Sequence, residues 1–283
     1  IVIYRVQLKT GYFIIRLPIK KLTGEKFFTP PNPIQHLKVP CPLDTNYFLN
    51  NKIRLFSHFI ISTKPFPDWF KSDVGSYRGV ANTHWSKISD FDFGDIKFNW
   101  DASRFHWVVL GIQGYLASGN EKYLIKVNNW LCDWNKNNPV NAGPNWKCGQ
   151  ETSIRVINLC ISLLLLNSLK KPERPIITMI AYHLERIEAT LHYATAQSNN
   201  HIITEAAALF MGGSLLVSIG VQHGKKWMVT GKRILETQSA KLIATERNHE
   251  FPLRKFGRAL LKDQTKELVD EELVKARRLG HFI

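Results

Sequence analysis

The sequence predicts a mainly α-helical fold in which antiparallel helical hairpins follow an irregular N-terminal lead-in. Apolar residues recur at three- and four-residue steps from about residue 101 to residue 245, and the loops between these periodic segments are short. The 283 residues, of which 44% are hydrophobic, are enough for one large domain. No short repeat of constant period is present, which disfavours a solenoid, whereas stacked hairpins can close into a toroid.

Residues 1–95 form the lead-in and are predicted to be irregular or β-containing. The segment is rich in Pro, Gly, Asn and aromatic residues, and prolines within 30–33 and 40–42 break any long periodicity. Its first residues are largely apolar, but Arg5 and Lys9 interrupt them, so they lack the continuous apolar core of a signal peptide. The sequence therefore shows no signal peptide at its visible start.

The helical domain is predicted over residues 96–245 and contains six helices. The first begins after Asp101 and ends at Gly119. The second begins at Glu121 and stops near Pro139, because the residue before a proline is pushed out of the α region. The remaining four are predicted over residues 148–169, 172–196, 200–219 and 225–244.

Residues 206–224 form the longest stretch without a charged residue. The stretch includes glycines and serines and lies among amphipathic helices. We therefore interpret it as a buried helix and predict no membrane span.

The charge balance favours a polyanionic partner. Lys and Arg number 38 against 23 Asp and Glu, which gives a formal net charge of +15. Nucleic acid, acidic lipid and acidic polysaccharide all fit this balance, but the basic residues are dispersed and no nucleic-acid recognition motif is present. We therefore predict that nucleic acid is not the partner. No pattern in the sequence predicts an oligomeric state.

The metal-ligating residue types do not form a complete site. The four cysteines include no CxxC pair, so a structural zinc site is not predicted. His201 and Glu205 have the spacing of two metal ligands on a helix, but no third candidate ligand has a clear position. The sequence predicts neither a bound metal nor a cofactor.

A first candidate site lies in residues 145–158, at the start of the third helix. Glu151 and Arg155 are four residues apart and share a helix face, so they fit a surface ion pair. The same segment also fits a sugar-binding corner. Trp146 offers a flat apolar face for a pyranose ring, and Arg155 offers a fork for a carboxylate or a sulfate.

A second candidate site lies in residues 198–210, at the start of the fifth helix. Ser or Asn at such a position commonly caps the helix by accepting hydrogen bonds from free backbone amides. Asn199, Asn200 and His201 supply more hydrogen-bonding groups than one cap needs. His201 can also titrate near neutral pH.

These segments belong to three blocks of residues that follow one another along the helical region. The blocks are Asn99-Trp100-Asp101 with Arg104 to Trp107, then Asn145-Trp146 with Gly149-Gln150-Glu151 and Arg155, then Ser198 to His201 with Glu205-Ala206-Ala207. In order and spacing they resemble the helical N-terminal domain of the heparinase II/III and alginate lyase polysaccharide lyases. The resemblance covers roughly residues 70–245.

The resemblance implies an incomplete (α/α) toroid and a reaction by β-elimination on a uronic acid. Such an enzyme removes the C5 proton and expels the O4 leaving group, so a donor must first offset the charge of the carboxylate. Asn200 is the expected neutralising group, with Asn199 as its orienter or alternate. His201 is expected to be a base or a second carboxylate contact.

The resemblance also implies a substrate groove, an acidic polysaccharide as partner, and a periplasmic or extracellular location. The residues expected to contact the substrate are Trp146, Gln150, Glu151, Arg155 and Glu205, together with Arg104 and His106 from the preceding hairpin.

The chain departs from the family pattern after about residue 245. Relatives carry a catalytic Tyr-His stretch in this window, whereas the last tyrosine of the chain is Tyr193. Residues 246–283 are expected to be a divergent charged tail with one amphipathic helix over 260–279, and a C-terminal β-sandwich domain is expected to be absent. On this basis the chain is expected to be a weak or inactive lyase.

Two other functions fit the sequence. An (α/α)-toroid glycoside hydrolase needs two carboxylates about 6.5–9.5 Å apart across the substrate for inversion, and Glu151 and Glu205 are the plausible pair. The net positive charge alone supports a non-catalytic polyanion-binding module.

Overall fold

The computed structural model describes residues 17–31, 45–71, 81–89, 95–197 and 200–245, without the side chains of 196–197 and 242–245. Asn199 and the expected helix over 260–279 lie outside the described residues. By internal contacts the chain divides into two compact units, residues 1–231 and residues 232–283. The domain boundaries at residues 95 and 245 stay predictions.

The described residues are mainly helical, which confirms the predicted fold class. The helices are α1 (Asn46–Leu49), α2 (Lys97–Trp100), α3 (His106–Ser118), α4 (Lys122–Asn137), α5 (Gly149–Leu165), α6 (Arg174–Gln197), α7 (Asn200–Ser218) and α8 (Gly224–Thr245). All six predicted helices form, as α3 to α8. Strands β1 (Lys52–Leu55) and β2 (Phe59–Ser62) make an antiparallel hairpin in the lead-in.

Local chemistry sets the ends of the first long helices. α3 begins later than predicted, because Asp101–Arg104 form a 3₁₀ turn and Phe105 has a left-handed φ of 67°. It ends where Gly119 adopts a φ of 68° and donates its N–H to the carbonyl of Tyr115 at 2.7 Å. α4 ends at Asn137, two residues before Pro139, as the proline rule predicts.

α3 and α4 pack as an antiparallel hairpin. A β-carbon at Gly111 would meet Val127, and one at Gly114 would meet Tyr123, so later positions of α3 face earlier positions of α4. Both close approaches are possible because glycine has no side chain. Further along the chain, α5 packs against α6 and α7, α6 packs against α7, and α3 packs against α5.

The lead-in packs onto this hairpin. The backbone N–H groups of Phe27 and Phe28 donate to Oδ1 of Asn128 on α4, at 2.8 and 3.0 Å. The ring of Phe48 lies edge-on to Trp130, with 5.0 Å between centroids. Irregular segments therefore form part of the core of the first unit.

Among the described residues one helix, Asn200–Ser218, is long and apolar enough to cross a membrane. In this structure half of its apolar stretch is buried inside the protein, and it packs against α5 and α6. It also carries the buried carboxyl of Glu205, which fits a core helix. The lack of a membrane span stays a prediction.

Candidate functional site

The N-terminal ends of α3, α5 and α7 lie together at one end of the helices. Arg104, just before α3, donates to the carboxylate of Glu151 on the first turn of α5. Gly149, the first residue of α5, lies against the carboxyl of Glu205 on α7. The three blocks that are separate in sequence therefore meet around the first turn of α5.

An ion-pair network forms the centre of this site. Nε and Nη2 of Arg104 donate to Oε2 and Oε1 of Glu151 at 2.7 and 2.8 Å, and Nη1 donates to Oδ1 of Asp101 at 3.0 Å. Burial acts to lower the pKa of Arg104, but the hydrogen bond and charge of Glu151, together with Asp101, outweigh it and raise that pKa. Both oxygens of Glu151 are thus occupied by one guanidinium fork.

Two imidazoles lie near the Glu151 carboxylate. His106, part of whose surface reaches solvent, lies on the first turn of α3, and His201 is half-buried on the first turn of α7. Burial lowers the pKa of His106, with Arg104 adding to the shift and the charges of Asp101 and Glu151 opposing it. Burial likewise lowers the pKa of His201, against the charge of Glu151. Both rings are therefore neutral near neutral pH and able to accept a proton.

Asn200 and Gln150 are the two candidate amides, and they are the chain neighbours of His201 and Glu151. Asn200 is the exposed first residue of α7, directly before His201 in the chain. Gln150 is half-buried on the first turn of α5, next to Glu151. Both residues are therefore accessible to solvent at least in part.

Glu205 is a buried carboxyl group with no charged partner at bonding distance among the residues that the structure describes. Its side chain is 3% exposed, and its Oε2 has no hydrogen-bond partner among the described residues. Burial raises the pKa of Glu205 to about 8, although the charge of Arg186 opposes the shift. At neutral pH this carboxyl is therefore mainly protonated. Burial, with Glu151 and Glu205 nearby, also raises the pKa of the Cys148 thiol to about 11.

Arg155 does not form the expected surface ion pair with Glu151. Its side chain is 0% exposed, because α6 covers this face of α5. Nε donates to Nε2 of His183 at 2.9 Å, and Nη2 donates to the carbonyl of Asn145 at 2.6 Å. Burial lowers the pKa of Arg155 to about 9. The expectation that Arg155 lines a groove therefore does not fit its position in the structure.

Trp146 is also part of the interior and not of a groove. Its side chain is 1% exposed, and Nε1 donates to the carbonyl of Asn138 at 3.2 Å. Its ring packs on His183, with 4.6 Å between centroids. In this structure the flat face that was expected to stack on a pyranose is covered by protein.

Two buried arginines hold the turn before α5. The carbonyl of Asn145 accepts from Arg155, and the carbonyls of Trp146 and Lys147 accept from Nε and Nη2 of Arg186 at 2.8 and 2.6 Å. The guanidinium of Arg186 also lies 3.6 Å from the ring centroid of Trp85. The turn therefore fixes the point at which α5 begins, and with it the position of Glu151.

Sequence reasoning missed several residues that build the site. Asp101 was part of a motif block but had no assigned role, although its spacing of three residues from Arg104 is a signal for a local ion pair. His183 and Arg186 lie in an otherwise ordinary helical pattern, so no sequence signal marked them. Among the described residues no group of three or more His, Cys, Asp or Glu side chains is placed to hold a metal.

Comparison with known proteins adds a family and one relative. Residues 50–250 match the family model described as Heparinase II/III N-terminus. A heparin-sulfate lyase of Bacteroides thetaiotaomicron is 26% identical over 154 residues, which cover 52% of this chain and 21% of that relative. The chain thus spans about a fifth of that relative's length. No solved structure matches the chain at a significant level.

Proposed function

We propose that this chain, which belongs to the heparinase II/III family through its N-terminal domain, binds uronic-acid-containing glycans. We propose further that it cleaves them by β-elimination. The family and the heparin-sulfate lyase relative establish a polysaccharide-lyase-like protein. The substrate class of this chain is part of the proposal, with heparan-sulfate-like and alginate-like polymers as the candidates.

The observation that carries the proposal is the meeting of the three motif blocks at the N-terminal ends of α3, α5 and α7. Free backbone N–H groups and helix dipoles at such ends favour an anion. His106 and His201 lie within electrostatic reach of Glu151, Asn200 directly precedes His201 in the chain, and all three reach solvent at least in part. An amide donor and neutral imidazoles beside an anion-favouring surface meet the chemical needs of proton abstraction from a uronate.

The roles follow from the chemistry of elimination. The C5 proton beside an ionised carboxylate is weakly acidic, so hydrogen bonds to that carboxylate must strengthen as charge develops on it. Asn200 supplies such a donor and does not titrate. His201 is the base that accepts the C5 proton, since burial lowers its pKa and keeps the ring neutral. The electrons of the C5–H bond form the C4–C5 double bond as the C4–O4 bond breaks, and the departing O4 oxygen takes a proton from water.

Arg104 plays a positioning role in this proposal. Its charge is already matched by two carboxylates, Glu151 and Asp101, so it offers little net attraction to a third. The network instead holds the start of α5 against the start of α3. Substrate recognition then falls to Asn200, His106, His201 and Gln150.

The proposal includes three further points that come from the family resemblance. The helical hairpins form part of an incomplete (α/α) toroid. The partner is an acidic polysaccharide, and the protein acts in the periplasm or outside the cell. The antiparallel packing of α3 with α4, and the shared end of α3, α5 and α7, support the first point.

The glycoside hydrolase alternative receives less support. Glu151 has both oxygens occupied by Arg104, so it is not free to activate a water. Glu205 is 3% exposed, and hydrolysis needs a carboxyl that reaches the glycosidic oxygen. The pair is therefore poorly placed for attack from two sides of a sugar.

The test is to incubate the chain with heparan sulfate, alginate and a neutral glucan and to follow ultraviolet absorbance. Elimination creates a conjugated double bond, whereas hydrolysis does not. We expect absorbance to rise with at least one uronate polymer, and binding to that polymer to weaken as salt increases. Equal affinity for the neutral glucan would overturn the proposal. Salt-sensitive binding without any double bond would favour the polyanion-binding module.

A further inference from the structure

An aromatic pair is partly exposed beside the candidate site and has no role in the mechanism above. Phe56 lies at the tip of the β1–β2 hairpin, and Phe98 lies on α2. Their ring centroids are 5.7 Å apart with an angle of 72° between the planes, which is an edge-to-face contact. Phe98 is 36% exposed and Phe56 is half-buried, so the pair presents aromatic surface to solvent.

The pair is tied directly to the ion-pair network. The backbone N–H of Phe56 donates to Oδ2 of Asp101 at 2.7 Å, while Oδ1 of the same carboxylate accepts from Arg104 at 3.0 Å. One carboxylate group therefore joins the hairpin tip to Arg104. Phe98 precedes Asp101 by three residues in the chain. The hairpin tip is thus linked through the Asp101 carboxylate to the Arg104–Glu151 ion pair.

The hairpin tip has an unfavourable backbone conformation that this contact offsets. Phe56 and Ser57 have φ values of 48° and 61°, in the left-handed region that non-glycine residues seldom adopt. The hydrogen bond from Phe56 to Asp101 fixes the tip in this shape. The Phe56 ring is therefore held in place next to Phe98 before any ligand binds.

A polysaccharide extends past the residue that reacts, so neighbouring sugars must contact the rim of the site. A pyranose presents an apolar C–H face that packs on aromatic rings, while its polar groups stay in water or meet hydrogen-bond partners. Phe56 and Phe98 provide such a surface. Trp146, the aromatic residue expected to do this from the sequence, is buried.

We propose that Phe56 and Phe98 form a stacking platform for a sugar residue next to the uronate bound at the candidate site. The proposal rests on the proposed function, because it assumes that the ligand is an acidic polysaccharide. It adds a second sugar-binding subsite and predicts that affinity depends on the length of the oligosaccharide. Short oligosaccharides that fill only the Asn200 and His201 centre do not reach the platform, whereas longer ones do.

The experiment measures binding of size-defined heparan sulfate oligosaccharides, from disaccharide to hexasaccharide, to the full chain by calorimetry. We expect wild-type affinity to rise with length. Phe98→Ala should weaken hexasaccharide binding about twofold to tenfold, the range for one aromatic contact. It should leave disaccharide binding unchanged. Phe98→Trp, which keeps an aromatic face, should retain the gain with length.

Phe210→Ala is the matched control, because Phe210 is also 36% exposed and lies in the middle of α7, where its backbone packs against Gly231. It should bind like wild type. Phe98→Leu keeps an apolar side chain without a ring face, and its thermal unfolding shows whether a loss of binding reflects misfolding. It should lose the gain with length while remaining folded.

The outcomes separate the two proposals. If Phe98→Ala and Phe98→Leu both bind hexasaccharide as tightly as wild type, and their affinity rises with length as it does in wild type, the platform is overturned. The proposed function then still stands. If the wild-type chain binds neither heparan-sulfate-like nor alginate-like oligosaccharides, the proposed function is overturned, and the platform with it.

Discussion

Gly149 and Glu205 are in such close contact that the first position of α5 has no room for a side chain. A β-carbon at Gly149 would lie 2.5 Å from Oε1 of Glu205 and 2.8 Å from its carboxyl carbon. The two residues belong to different motif blocks and lie 56 positions apart in the sequence (205 − 149). The glycine therefore allows α5 and α7 to meet at their N-terminal ends.

Gly149→Ala should destabilise the protein. Alanine is the better helix former, but its β-carbon forces the Glu205 carboxyl to move within a packed interior, which costs about 1–3 kcal/mol of the free energy of unfolding. Urea denaturation measures the loss. In a Glu205→Ala background the same substitution should be neutral or stabilising, because the clash is gone. An equal cost in both backgrounds would contradict the contact.

Glu205 should make the stability of the protein fall as pH rises. Burial raises the pKa of its folded-state carboxyl to about 8, above the ordinary value of 4.5. Between these values the folded state binds more protons than the unfolded state, so the free energy of unfolding decreases by about 1.4 kcal/mol per pH unit. The contribution is fully present below the unfolded pKa and is lost as pH rises through the folded pKa.

Glu205→Gln tests this dependence, because glutamine keeps the size of the side chain and does not titrate. Between pH 5 and pH 8, denaturant unfolding should show that the free energy of unfolding declines less steeply for Glu205→Gln than for wild type. The two slopes should differ by about 1.4 kcal/mol per pH unit. Parallel pH curves for the two proteins would rule out a protonated Glu205 in the folded state.

Arg104→Ala should cost more stability than loss of an ordinary surface ion pair. It leaves the buried Glu151 carboxylate without its partner, which we expect to cost about 2–4 kcal/mol, since Arg104 itself is partly exposed. The double variant Arg104→Met with Glu151→Gln should recover much of the loss, because no unpaired charge stays buried. Urea denaturation of the three proteins measures both effects.

Lys232 and Glu236 provide the control for that comparison. They form an exposed pair at 3.8 Å, four residues apart on α8. Lys232→Ala should change the free energy of unfolding by less than about 0.5 kcal/mol. If Arg104→Ala were as mild as Lys232→Ala, the Arg104–Glu151 pair would not be the buried centre of the site.

Asn200→Ala should separate activity from stability. If Asn200 neutralises the uronate, its loss abolishes elimination, while loss of a helix-capping group costs only about 0.5–2 kcal/mol of stability. Asn120→Ala is the matched control, since Oδ1 of Asn120 accepts from the N–H of Lys122 at the start of α4. Asn120→Ala should lose similar stability and keep activity. A proportional fall of activity and melting temperature in both variants would leave capping as the sufficient explanation.

The sequence by itself determined the helices and most of their ends. Apolar periodicity, the glycine at 119 and the proline at 139 act over a few residues, so they can be read without knowing what the helices pack against. The same local reading placed α7 from Asn200 onward and singled out the segments 145–158 and 198–210, whereas the three blocks that meet at the site were identified by their resemblance to the polysaccharide lyases.

Only the tertiary structure decided the partners of the charged side chains. The spacing of four residues predicted that Glu151 pairs with Arg155, but Glu151 pairs with Arg104, 47 residues away. Arg155 instead points into the core and binds His183, 28 residues along the chain. The physical reason is that α6 and α7 cover one face of α5, and which face they cover depends on long-range packing that no local spacing records.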